Sequence, residues 1–185
     1  AGSLPAAAQP PASPDGAFAH AQAEARAGHW QQALGNFRAV WNLAPTGLHT
    51  AELGRAELHV GLARDAAEHL QLALQRLPTS EVETRTWAQD SLAQAKKHIV
   101  SLDVRASEPG AVILLDGKAI GSSPLAGEVF VDEGSHRLDA RLDGYWCEPV
   151  AVHEPIGSSL EVALKLARGP APASQKRALS KAELR

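Results

Sequence analysis

Between Asp15 and about Ile99 the sequence matches itself at an offset of 33 residues. Gly28 aligns with Gly61, Ala33 with Ala66, Phe37 with Leu70, and Pro45 with Pro78. Four coincident offsets leave few folds open, because a period of this length marks one supersecondary unit used again. Each Gly stands where a left-handed turn can end a first helix, and each Pro follows a second helix that it cannot continue. Within the second helices, Ala33, Phe37 and Val40, then Ala66, Leu70 and Ala73, recur at helical spacing. A small residue there admits the neighbouring helix and a large one fills the remaining space. The unit is a helical hairpin, and the pattern predicts helices at 15–27, 31–43, 47–60, 63–76 and 80–98. The last, capped by Thr79 or Ser80, carries the stripe Val82, Ala88, Leu92, Ala95 and Ile99, as a helix that closes an array should.

At Ser101 the period changes from helical to two. Leu102, Val104 and Ala106 alternate with polar neighbours, and the pattern returns in 112–115, 129–131, 136–142, 150–152 and 160–166. Turn signals separate the runs at Pro109-Gly110, Asp116-Gly117, Ser123-Pro124, Glu133-Gly134, Asp143-Gly144 and Ile156-Gly157. About seven short strands at this spacing predict an antiparallel β-sandwich over 101–168. Residues 1–14, with four prolines among alanines, read as a flexible lead-in, and 169–185 as a linker or disordered tail. The fold class is therefore α+β in two modules, helical over 15–99 and β over 101–168.

The helical half resembles the tetratricopeptide repeat family, through Leu53-Gly54, Ala33 with Phe37 four residues on, Pro45, Pro78, and Trp30 after Gly28. His20-Ala21 stands where the family has Leu-Gly, and Glu24 and Glu57 stand where an aromatic is common, which implies looser packing between first helices. The second half resembles the PEGA domain family. Glu108-Pro109-Gly110-Ala111 replaces the family's Pro-Glu-Gly-Ala turn, followed in the family's order by Asp116-Gly117-Lys118, Gly121 with Ser123-Pro124, and Gly144-Tyr145.

A formal net charge of −3 offers no basic field for phosphate backbones, so nucleic acid is not an expected partner. No apolar run approaches the ~20 residues of a membrane span. The chain opens on Ala1 rather than Met, which fits a removed leader as well as a chosen boundary. One cysteine, Cys147, excludes an internal disulfide. Cys147 with His136 or His153 makes a nucleophile and base on paper, but no orienting or oxyanion group accompanies them, and a small apolar filler is the better reading. The eight histidines form no His-x₃-His pair, His-Glu-x-x-His box or Cys-His cluster. No Gly-rich phosphate loop and no nucleophile elbow is present. The chain is thus expected to be no enzyme, with no cofactor and no catalytic metal.

What remains is binding. Gln22 and Arg26 stand one turn apart on the first helix, and the offset of 33 carries them to Arg55 and His59. Two arginines and a histidine on one face suit an acidic or C-terminal carboxylate ligand, against the plainer reading of a solvated face. In the β half, Tyr145 and Trp146 point to opposite faces, and an exposed Trp146 can stack on a sugar or a partner side chain. By resemblance, the helical half implies a platform for an unidentified protein partner. The PEGA-like half implies a bacterial cell envelope setting, periplasmic or surface-exposed, with envelope polysaccharide as a further ligand class and a membrane anchor outside this chain. The expected function is a non-catalytic envelope adaptor or scaffold; the alternatives are a carbohydrate-binding module acting through the sandwich and a regulatory appendage of an enzyme on a missing part of the chain.

Two hairpins and a closing helix fall short of the three repeats that usually bury a continuous core, and their alanine faces add little apolar area. No Pro or Gly lies between Ala88 and Glu108, so the closing helix, around Ala95 to Ile99, is expected to lean on the sandwich. Residues 15–98 expressed alone should then melt at a lower temperature than within the full chain. Circular dichroism of both tests this, and equal melting temperatures would leave two independent beads.

Overall fold

The structure is a computed structural model that describes residues 13–169. Most of the expected lead-in and tail lies outside the described residues. The part of the lead-in that is described is helix: Ser13 caps α1 (Pro14–Arg26), its hydroxyl accepting from Gly16 N at 3.1 Å, and Pro14 takes the first turn, where a missing N–H costs nothing. Four helices follow, α2 (Trp30–Leu43), α3 (Gly47–His59), α4 (Ala63–Arg76) and α5 (Val82–Lys96). The chain divides into two compact units, with the boundary between His98 and Ile99.

The two hairpins of the first unit close in the same way. Gly28 and Gly61 adopt φ of +81° and +84°. His29 N reaches Glu24 O and Leu62 N reaches Glu57 O, both at 2.9 Å, while Gly28 and Gly61 donate to Ala25 O and Leu58 O at 3.1 Å. These paired bonds are Schellman closures, which satisfy carbonyls orphaned at each helix end and pass directly into the next helix. Along the hairpins Ala33, Phe37, Val40, Ala66, Leu70 and Ala73 are all buried, as their spacing predicts. Helices α1 to α5 pack in sequence, and α3 also meets α5.

The fifth helix departs from expectation. Its N-cap is Glu81, with no side-chain cap bond, rather than Thr79 or Ser80. Val82 is exposed, and Ile99 lies beyond the helix, within the second unit. Arg85 on this helix donates to Leu74 O and Leu77 O at 2.8 and 2.9 Å, covering carbonyls at the end of α4.

Among the described residues the second unit holds nine strands rather than about seven: β1 (Val100–Ala106), β2 (Val112–Leu115), β3 (Lys118–Ser122), β4 (Val129–Val131), β5 (Gly134–Arg141), β6 (Tyr145–Cys147), β7 (Val150–Glu154), β8 (Ser159–Leu164) and β9 (Leu166–Arg168). They form ladders in the orders β4-β1-β8, β3-β2-β5-β7 and β6-β9. One pair breaks the expected antiparallel rule, since β1 runs parallel to β8 from Ser101↔Ser159 to Ala106↔Leu164. The extra strands are short pieces without alternation; β3 is exposed throughout and is held by a hairpin whose Asp116 and Gly117 both take positive φ. Residues from all three ladders, among them Leu102, Ile113, Leu138, Val162 and Leu166, share one core.

Gly54 marks the tightest helix contact. A Cβ there would lie 2.8 Å from Leu70 Cγ and 3.1 Å from Ala66 O. Gly54→Ala gains about 1 kcal/mol of helix propensity, but overpacking of this kind costs about 1–3 kcal/mol. The variant should be the less stable protein by thermal denaturation; a rise in Tm would mean that α3 and α4 separate without cost.

Candidate functional site

Helices α1, α2, α3 and α5 bring three of the five expected binding residues, Gln22, Arg55 and His59, into one polar and aromatic cluster, and leave Arg26 and Trp146 outside it. On α3, the Arg55 guanidinium carbon lies 4.9 Å from the ring centroid of Trp87 on α5 and 5.9 Å from that of Trp30, at the start of α2. Such cation–π contacts hold a guanidinium while leaving it charged. One turn back on α3, buried Glu52 meets Arg55 Nη2 at 2.5 Å through Oε2, and accepts from Gln22 Nε2 at 3.4 Å through Oε1. His59 lies flat on Trp30, with ring centroids 3.6 Å apart and planes 6° from parallel. Burial first, and the Arg55 charge second, hold its imidazole below the ordinary value, so the ring is neutral near pH 7. Arg26 is exposed, its Nε donating to Gln22 O at 3.2 Å.

Gln22, Arg55 and His59 thus share one cluster, but not as a clamp of free cations. The Arg55 charge is already matched by Glu52, and His59 contributes a flat neutral ring. Sequence reasoning passed over Glu52 because it treated α3 by its cationic stripe. The spacing of three between Glu52 and Arg55 was the available signal.

A second cluster lies between α2, α3 and α4. The Glu57 side chain is fully buried, with Oε1 3.3 Å from Arg38 Nη2 and Oε2 2.7 Å from His69 Nδ1. The Trp41 ring meets His69 edge-on at 5.1 Å, and its Nε1 donates to Thr50 Oγ1 at 3.0 Å. Where an aromatic was expected, the chain instead buries a carboxylate and surrounds it with donors. The three tryptophans Trp30, Trp41 and Trp87 are half-buried, each with a polar neighbour, and Trp30 and Trp41 pack against the core of the hairpins.

In the second unit, Tyr145 and Cys147 face the core while Trp146, paired with Ala167, is half-buried on the opposite side of β6. Burial, with Asp139 adding, pushes the Cys147 thiol up, so it stays protonated at neutral pH. His136 Nδ1 lies 2.8 Å from Asp116 Oδ2, and His153 Nδ1 lies 3.2 Å from Ser135 Oγ. Among the described residues, no group of three or more His, Cys, Asp or Glu is placed to hold a metal ion, and no helix is long and apolar enough to cross a membrane.

The PEGA domain family model matches residues 99–168, which hold all nine described strands, and leaves the helical hairpins outside the match. No curated protein and no solved structure matches the chain.

Burial opposes protonation of His69, but the hydrogen bond and charge of Glu57, with Asp65 adding, outweigh it and hold the imidazole above its ordinary value. A raised folded value means stability that is complete below about pH 6.5 and is lost as pH rises through that folded value. The stability difference between the native chain and His69→Gln should therefore shrink from pH 6 to pH 8. Thermal melts at the two pH values measure it, and a difference that grows with pH would contradict the assignment.

Proposed function

We propose that the chain is a non-catalytic adaptor of the cell envelope, which docks a protein partner on the face carrying Gln22, Arg55, His59, Trp30 and Trp87. The observation behind this reading is the cluster itself. Two tryptophans and a guanidinium, the side chains that dominate interface energetics, converge from three helices with their flat faces held by stacking. A surface already fixed in place loses little side-chain entropy on binding. The hairpins that present it resemble tetratricopeptide arrays through Leu53-Gly54, Ala33 with Phe37, Pro45 and Pro78, and members of that family serve as platforms. The PEGA match over residues 99–168 supports an extracytoplasmic setting and a second module that faces the envelope or docks a further partner.

Because Glu52 already neutralises Arg55, the favoured partner surface is one that stacks and donates or accepts single hydrogen bonds, rather than a bare carboxylate cluster. Trp87→Ala removes a ring that the fold does not fully bury, and should abolish retention of the partner by the full chain on an affinity matrix loaded with envelope extract. The control is His98→Ala, an exposed residue away from the cluster, which should retain the same partner. Retention unchanged by Trp87→Ala, with helical content equal by circular dichroism, would move the docking site elsewhere.

A further inference from the structure

The sheet that contains β1 has a notch. Strand β4 pairs with β1 only at Val100, Ser101 and Leu102, while β8 continues beside β1 as far as Ala106. Ser101 N and Ser107 N both donate toward β8, to Ser158 O and Leu164 O. Backbone groups alternate in direction along a strand, so Val104 and Ala106 turn their N–H and C=O to the other side, past the end of β4. No strand pairs with them there among the described residues. A cleft of about 440 Å³ opens along this stretch, between Val104 to Ala106 and a wall that includes Pro109, Ser123, Pro124 and Leu125.

That wall is fixed. Gly110 N donates to Ser123 O and Ser123 N to Ala111 O, both at 2.8 Å, and Ser123 Oγ accepts from Ala111 N while donating to Glu108 O. Four hydrogen bonds tie the two turns together, so the cleft stays open without a ligand to prop it. Two prolines on the wall offer no N–H to compete for the strand edge. The outer face of the notch is charged: Arg105 lies between Asp103 and Glu161, at 2.6 and 3.1 Å, with all three side chains exposed. Two carboxylates against one guanidinium leave a negative excess.

We propose that this notch takes up an extended peptide of a partner as an added strand in line with β4. The backbone of the peptide bonds to Val104 and Ala106, its inward side chains are small and apolar against Leu125 and Pro124, and its outward side chains are basic, drawn to Asp103 and to the net negative charge of the group formed by Asp103, Arg105 and, one strand further on in β8, Glu161. An unpaired edge is satisfied in full only by another extended backbone, and alternate side chains then give the specificity. Like charges directly opposite are destabilising and opposite charges favourable, which makes the peptide residue opposite Asp103 basic. The site lies on a different module from the helical face and stands whether or not that face binds a protein.

The test is titration of the full chain, isotope-labelled, with a capped synthetic peptide of alternating valine and lysine, followed by amide NMR and hydrogen exchange. The amides of Val104 and Ala106 should shift and gain protection, while those of the α1–α5 cluster stay unchanged. N-methylation of alternate peptide nitrogens should weaken binding about tenfold or more, and replacement of lysine by glutamate should weaken it severalfold. Ala106→Pro removes the N–H that faces the notch, besides fixing φ at that position, and should weaken the valine-lysine peptide at least as much as N-methylation. No change at Val104 and Ala106, or binding indifferent to N-methylation, would overturn the proposal; changes at the helical cluster alone would support that face and still refute the notch.

Discussion

Everything in the helical unit depends on how closely two backbones approach. Its helices are rich in alanine, and an alanine face buries useful area only when the partner helix comes near. Gly54 against Ala66 and Leu70 makes that approach in the second hairpin, and Ala21 against Ala33 and Phe37 makes the corresponding one in the first. The spacing of the hairpins then fixes which side chains of α1, α3 and α5 meet. Arg55 reaches Trp87 because α3 contacts α5 directly as well as through α4.

Close helices bring polar groups into confinement, and this unit pairs its two buried carboxylates rather than excluding them. Glu52 and Glu57 are both buried, and each is met by an arginine and a second donor, Gln22 for one and His69 for the other. Removing one partner of such a set leaves an uncompensated charge, so the clusters tolerate single substitutions poorly even where their net contribution to stability is small. The face they support inherits that rigidity.

The hairpins were legible in the sequence because a turn that needs φ above zero and a helix contact that needs a missing side chain leave residue-level marks. Gly28, Gly61 and the buried alanines carry them. The strand runs with strict alternation, such as 102–106 and 160–164, were equally plain. What escaped is what alternation does not encode. The parallel pairing of β1 with β8 joins segments more than fifty residues apart, and no local pattern distinguishes it from an antiparallel neighbour. Strand β3 has no buried residue to betray it, and the first turn of α5 has no capping side chain. The proposed docking cluster was half visible: Arg55 and His59 followed from the repeat, whereas Trp87 and Glu52 enter through helix packing and charge matching, which the one-dimensional pattern leaves open.

The frame of the hairpins is periodic, yet its decoration is not. One step of the repeat turns Gln22 into Arg55, Arg26 into His59, Trp30 into Ala63 and Gly54 into Trp87. A ligand lying along this face meets a different chemistry at each step, so moving it by one hairpin, or reversing it end for end, exchanges every contact. For the proposed docking face, the duplicated scaffold therefore carries a vectorial reading frame: a partner fits it in a single register and a single direction.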